Sequence, residues 1–143
     1  MTPWGYESKP LNEVPKDAYG FTYRITIAGC SYYGKKNFYS NRKVKLGKKE
    51  LALQTDKRLK NWKLVTKESS WKTYCSSSKE VKALVMAGNL PVRQVLEICY
   101  SAKELTYREN CWLYRCIEED NNLNDNLSGK IFMAEILEWN IGR

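Results

Sequence analysis

Gly20-Phe21-Thr22-Tyr23-Arg24-Ile25-Thr26-Ile27, then Ala28-Gly29, then Cys30-Ser31-Tyr32-Tyr33-Gly34, is the stretch whose reading decides the fold. Phe21, Tyr23, Ile25 and Ile27 alternate with Thr22, Arg24 and Thr26, the period-two pattern of a strand built from aromatic and β-branched residues. Ala28-Gly29 supplies a tight turn, and Cys30 to Tyr33 returns as a second short strand. Gly34 is expected to end that strand, because a residue without Cβ lets the backbone bend sharply. Such a hairpin sets the Tyr23 and Tyr32 phenols on one platform, facing one cleft.

Outward from the hairpin, residues 1–19 hold three of the four prolines and read as an irregular lead-in, with one short edge strand near Trp4 to Tyr6. Beyond Gly34, the basic run to Lys45 encloses Phe38 and Tyr39 and predicts a short helix starting near Asn37. Between Lys43 and Lys67 the only acids are Glu50 and Asp56, and residues 43–70 read as a basic insertion, a hairpin or helix and not a separate domain. Ser69 to Tyr74 is a loop. Serines at 76–78 cap a helix carrying Val81, Leu84 and Val85, which Gly88-Asn89 ends. Pro91 to Tyr100 is a third strand. Ser101 and Glu104 form a capping box opening a longer helix to about Glu119. Asp120 to Asp125 is a turn, and Ile131 to Trp139 a last helix or strand. The whole predicts one α+β domain over residues 1–143, a small antiparallel sheet of about three strands flanked by helices.

Composition narrows the chemistry. Lysine and arginine outnumber the acids 24 to 16, a formal charge of +8 that favours a polyanionic partner, nucleic acid above all. There is no histidine, and the five cysteines include no CxxC pair. A Cys/His zinc site, a Ser-His-Asp triad and a histidine base are thereby excluded; free thiols in a reducing compartment are expected. No apolar run is long enough to span a membrane, and Met1-Thr2-Pro3-Trp4 lacks the basic start and apolar core of a leader, so a cytoplasmic location is expected.

Without histidine, a phosphodiester-cutting site must take its base from a carboxylate, a lysine or a tyrosine. Tyrosine suits only where cations lower its pKa from about 10. Lys35-Lys36 follow the tyrosine corner directly and Arg42 lies eight residues past Gly34. Glu109 is a lone carboxylate on a helix face otherwise made by Leu105, Trp112 and Cys116, where a charge is costly unless paired or metal-bound. One carboxylate plus waters and substrate phosphate is an ordinary magnesium site. Taken singly, each residue has a plainer reading. Tyr23 and Tyr32 are then packing aromatics, Glu109 a surface acid paired with Arg108 or Lys103, Arg42 a solvated cation, and Asn124 a turn residue.

Their order and spacing resemble the GIY-YIG nuclease superfamily from Gly20 to about Gly129, most closely its small phage-encoded, homing-type members. Phe21-Thr22-Tyr23 resembles the first motif, its tyrosine falling on Tyr23, and Tyr32-Tyr33-Gly34 the second, its first tyrosine falling on Tyr32. The resemblance implies that Arg42 is the family's arginine, on its first helix, and that Glu109, within Tyr107-Arg108-Glu109-Asn110, is its metal-binding glutamate. Asn124 is implied as the late phosphate-contacting asparagine. The histidine or tyrosine that many members carry after the arginine is missing, with Leu46 in its place and Tyr74 or Tyr39 as substitutes. The resemblance further implies an endonuclease with Mg²⁺ (or Mn²⁺) on Glu109, Tyr32 or Tyr23 as base, Arg42 on the phosphate, and Lys35, Lys36, Tyr74 and Asn124 holding substrate DNA. It would be a monomer or weak dimer, pairing on DNA at most, in the host cytoplasm if phage-encoded. A catalytically inactive member that keeps the fold and binds DNA or a partner is the alternative.

Overall fold

The computed structural model describes residues 2–53, 62–124, 126–127 and 131–132. In chain order the elements are β1 (Trp4–Tyr6), β2 (Lys9–Leu11), β3 (Gly20–Ile27), β4 (Cys30–Asn37), β5 (Tyr39–Lys45), α1 (Lys48–Leu53), β6 (Trp62–Glu68), α2 (Lys79–Met86), β7 (Val92–Cys99), α3 (Ala102–Cys116), β8 (Asn126–Leu127) and β9 (Ile131–Phe132). The tip of the basic insertion (54–61) and most of the segment read as a last helix or strand lie outside the described residues.

The central hairpin forms as its alternation dictates. β3 and β4 pair antiparallel from Gly20↔Asn37 to Ile27↔Cys30, joined by a two-residue turn with both residues at positive φ, Ala28 at 50° and Gly29 at 75°. Positive φ at both positions matches the strand twist, and Gly29 adopts it without cost. The third expected strand, β7, pairs antiparallel with β3.

The sheet is nevertheless larger than three strands, and mixed. Its order is β2-β1-β7-β3-β4, with β1 parallel to β7 through Gly5↔Gln94. The prolines of the lead-in disguise these extra strands, yet Pro10 sits on β2, the sheet's outer strand, where a missing N–H is tolerated. Trp4, expected in an edge strand, lies one strand in and fully buried, its indole N–H donating to the Trp71 carbonyl at 2.7 Å.

Gly34 does not end β4, which runs on to Asn37, and no helix starts there. Residues 39–45 offer only Val44 beside Tyr39 as an apolar face, so a helix there would have nothing to bury. Phe38 turns fully into the core, and the chain continues as β5, paired with β6 in a two-stranded ribbon. The insertion is thus a basic hairpin that begins at Tyr39 and carries the short α1 on its return.

Two apolar layers sandwich the sheet. Phe21, Tyr23, Ile25 and Ile27 of β3 face Trp4, Phe38, Trp71 and Val81 of α2. The alternate face carries Tyr33, packed with Leu113, Cys116 and the Trp112 ring of α3, which it stacks at 6.4 Å and 8°. Gly20 allows α3 this close: a Cβ there would lie 2.7 Å from the Leu105 side chain and 2.6 Å from the Lys36 carbonyl. α2 and α3 start where the serines predicted. Ser78 and Ser101 accept from the Val81 and Glu104 N–H groups, and the Glu104 carboxylate accepts in return from Tyr100 N–H.

Candidate active site

Strand alternation and the hairpin register put Tyr23 and Tyr32 on the same face, Tyr23 opposite Gly34 and Tyr32 opposite Ile25. Their rings stand 6.3 Å apart, and Tyr74, from the loop before α2, packs edge-on to Tyr23 at 6.0 Å. The Tyr23 phenol lies directly across Gly34: a Cβ at position 34 would be 2.5 Å from its hydroxyl oxygen and 2.6 Å from Cζ. The glycine of the second motif is therefore the floor on which the tyrosine of the first one rests. At this point the β3–β7 ladder slips between Thr22 and Tyr23, an irregularity that re-aims the strand beside the site.

Tyr23 is only 1% exposed. Burial pushes its hydroxyl far above the usual tyrosine range, with the Tyr74 and Tyr32 phenols and the Glu109 carboxylate adding to the effect. The cations expected to lower its pKa do not govern it. Tyr32 is half-buried and lines a smaller hollow with Ser77, Ser78, Lys79, Glu80 and Leu123.

Glu109 comes to the same place from the opposite face of the sheet. α3 crosses behind β4 and sets this half-buried carboxylate against Lys35 at the strand's outer edge. Desolvation raises its pKa, and the Lys35 ammonium and backbone N–H draw it partly back. The carboxylate pairs with neither Arg108 nor Lys103 as a surface acid would. Arg108 instead binds Glu97 through Nε at 3.0 Å, and Glu97 also accepts from the Trp112 indole at 2.6 Å. The Lys35 ammonium donates to Thr106 Oγ1 at 3.0 Å, and Lys36 sits 4.4 Å over the Tyr74 ring.

Lys35, Lys36 and Tyr74 line an open cleft of about 600 Å³ together with Tyr19, Asn37, Tyr39, Ser40, Asn41, Thr66 and Ser69. Tyr19, Asn37 and Ser69 carry no sequence signal that marks them for this cleft. Ser69 Oγ donates to the Asn37 carbonyl at 2.6 Å and closes the root of the ribbon, a contact across 32 residues that no local pattern reveals.

Of the residues singled out from the sequence, only Lys35, Lys36 and Tyr74 line this cleft; Tyr23 packs on Tyr74 and Glu109 on Lys35 without lining it, Tyr32 lines the smaller hollow, and Arg42 and Asn124 stand elsewhere. Arg42 is on β5, not on a helix; it pairs with Val65 across the ribbon, is exposed, and is absent from the lining of the cleft. Asn124 is buried, with its amide spent on the backbone of Tyr33: Oδ1 accepts from the Tyr33 N–H at 2.9 Å, and Nδ2 donates to the Tyr33 carbonyl at 2.7 Å. It extends a short strand-like run in which Ser31 N–H donates to the Asn121 carbonyl and Leu123 N–H to the Ser31 carbonyl.

Among the described residues no group of three or more Cys, Asp or Glu side chains is placed to share a metal ion. The donor set is a single carboxylate beside an open, water-accessible cleft with two cations. That fits a magnesium-like ion, which keeps most of its waters and takes one or two carboxylates along with substrate phosphate. No helix among the described residues is long and apolar enough to cross a membrane.

No curated protein and no solved structure matches the chain. A protein family does: residues 4–128 match the one described as "Putative endonuclease segE, GIY-YIG domain". That span includes both tyrosine motifs, the ribbon, Glu109 and Asn124. The chain belongs to this GIY-YIG endonuclease family.

Proposed function

We propose that the protein is a divalent-metal-dependent DNA endonuclease whose site is the β4 edge around Gly34. The observation that carries this reading is the convergence of the Tyr23–Tyr32–Tyr74 hydroxyl cluster, Glu109, Lys35 and Lys36 on one strand edge beside an open cleft. Glu109 would hold the ion, Mg²⁺ or Mn²⁺. When bound, such an ion stabilises charge on the phosphoryl and leaving oxygens.

The chain's own groups do the rest. Lys35 and Lys36 line the cleft and neutralise a non-bridging phosphate oxygen; Tyr74, held under Lys36, supplies a hydroxyl to the same group. Tyr32 is the better base of the two motif tyrosines. It is the more exposed, whereas burial holds the Tyr23 proton tightly. Tyr23 keeps its proton and donates from a fixed position over Gly34. Arg42 contacts the DNA backbone from the ribbon, outside the reacting centre. Asn124 serves by fixing the backbone of Tyr33, between Tyr32 and Gly34.

The test is nicking of supercoiled plasmid with Mg²⁺ or Mn²⁺ by the wild type beside Glu109→Ala. The reading expects cleavage that falls by about 10²–10³-fold in the variant, as when one charge-stabilising group is removed from a nuclease-type site. Absence of wild-type cleavage with either ion would sink it. The second reading, an inactive family member that binds DNA, draws on the position of Arg42 away from the cleft and on the burial of Tyr23. It predicts retained plasmid binding with no cutting.

A further inference from the structure

The β5–β6 ribbon leaves the body of the protein at the mouth of the cleft and exposes both of its faces. Each strand has seven residues, about 23 Å at the usual rise of about 3.3 Å. Its root is tied down, with Ser69 N–H donating to the Phe38 carbonyl and Ser69 Oγ to that of Asn37. Side-chain alternation then sorts the ribbon into two sides. One carries Tyr39, Asn41, Lys43 and Lys45 with Trp62, Leu64, Thr66 and, at the root, Glu68; the other carries Ser40, Arg42 and Val44 with Lys63, Val65 and Lys67.

The first side supplies most of the ribbon's share of the cleft wall, with Tyr39, Asn41 and Thr66 lining it beside Ser40 of the second. Outward from them it turns cationic and aromatic, with Lys43 standing 4.4 Å over the Trp62 ring. Thr66 Oγ1 donates to Asn41 Oδ1 at 2.8 Å, which orients the asparagine amide. A solvated ribbon that only satisfied its own backbone would have no need of exposed Leu64, at 59% exposure, among lysines on a surface leading into a reaction cleft.

We propose that this ribbon is a DNA-reading arm that lies in the major groove of a duplex whose scissile strand occupies the cleft. The claim rests on the endonuclease reading for the location of the cut, but not for the binding. A two-stranded ribbon, with strands about 4.8 Å apart, fits a major groove about 12 Å wide, whereas the minor groove, about 6 Å wide, excludes it. Of the charged side chains on the two strands, Arg42, Lys43, Lys45, Lys63 and Lys67 are cations and Glu68, at the root, is the acid. This complements the two phosphate rails that flank the groove. Asparagine and lysine on the inward side are residue types that read adenine and guanine edges there. Tryptophan and leucine offer apolar contact to thymine methyls.

The experiment measures binding of the full chain to a 30-base-pair duplex of mixed sequence in the absence of divalent metal, so that cleavage plays no part. The duplex is compared with one of its single strands, with the duplex methylated at guanine N7, and with the duplex pre-loaded with a minor-groove drug. Interference by N7 methylation over a few consecutive bases, with the minor-groove drug tolerated, is the expected result. Lys43→Gln/Lys45→Gln should weaken duplex binding by roughly tenfold and reduce the salt dependence by about two phosphate contacts. Asn41→Ala should instead flatten the preference among sequences and leave the salt dependence unchanged. Equal affinity for single strand and duplex, indifference to N7 methylation, or displacement by the minor-groove drug would overturn the proposal, and the methylation result does not depend on any variant folding. Cleavage of plasmid by a chain whose binding ignores methylation removes the arm and keeps the nuclease. Methylation interference in a chain that never cuts does the reverse.

Discussion

The edge of β4 and the ribbon after it are continuous in sequence, yet opposite in construction. Along β4 the N–H and carbonyl of Ser31 and of Tyr33 meet partners from the loop after α3, the Lys35 N–H meets Glu109, and the Tyr23 ring fills the space that a side chain at 34 would need. On the ribbon most side chains stand in solvent, and Gly47, just past the end of β5, has nothing within 4 Å of where a Cβ would be. The difference teaches where geometry must be held and where contact must be made. A reacting centre needs fixed hydroxyls and a fixed carboxylate; a surface that follows a polymer needs charge and reach.

The sharpest way to break this contrast is one methyl group placed in each region. Gly34→Ala drives a Cβ into the Tyr23 phenol and should cost about 2–3 kcal/mol by overpacking, with a lower Tm and loss of cleavage. Gly47→Ala should change stability by no more than about 0.5 kcal/mol in the same thermal melts. Equal effects would show that the β4 edge is no more tightly held than the ribbon.

A smaller effect is expected from Asn124→Ala. It strands the N–H and the carbonyl of Tyr33, two hydrogen bonds at about 1 kcal/mol each, for about 2 kcal/mol in denaturant unfolding. If Asn124 held a phosphate and nothing else, stability would be unchanged and only DNA affinity would fall.

The pH dependence sharpens the electrostatic side. Burial raises the Glu109 pKa, so the carboxylate stays protonated above the usual range and holds a cation only at higher pH. Metal-dependent cleavage should therefore rise with pH through a midpoint above about 4.3, the ordinary glutamate value. For stability the sign is opposite. The folded state binds this proton more tightly, so the contribution is present below the unfolded pKa and is lost as pH rises through the folded one. A Glu109 midpoint at or below the ordinary value in the metal-free protein, read by NMR titration of its carboxyl carbon, would show that the carboxylate is not desolvated.

The smallest effect belongs to Arg42→Ala. It should leave stability within about 0.5 kcal/mol and lower the salt dependence of DNA binding by about one contact. A collapse of cleavage by roughly 10²-fold or more at unchanged DNA affinity would instead return Arg42 to the reacting centre.

Much of the scaffold is legible in the sequence because its signals are local. The alternation of Phe21 to Ile27, the Ala28-Gly29 turn and the Ser78 and Ser101 caps each depend on neighbours a few residues apart, and each stands where the sequence places it. Tyr23, Tyr32, Tyr74, Lys35, Lys36 and Glu109 are candidates from the sequence, and the fold brings them together. The strands β1 and β2 are half hidden by prolines that the sheet margin accepts. Arg42 departs from its expected position because residues 39–45, read as a helix from their basic run and from the resemblance alike, have no apolar stripe with which to seat one and form β5 instead. The commitment of the Asn124 amide to Tyr33, 91 residues away, leaves no trace in spacing or composition.

The run from Asn121 to Asn124 has one more effect. An outer strand with open N–H and carbonyl groups is a template on which another chain can add a strand, and a basic, aromatic-rich protein gathered along DNA would meet copies of itself at high local concentration. By occupying Ser31 and Tyr33, the loop removes that template from one margin of the sheet, while Pro10 blunts the other. A chain cut before Asn121 should therefore not only lose order beside Gly34 but also self-associate.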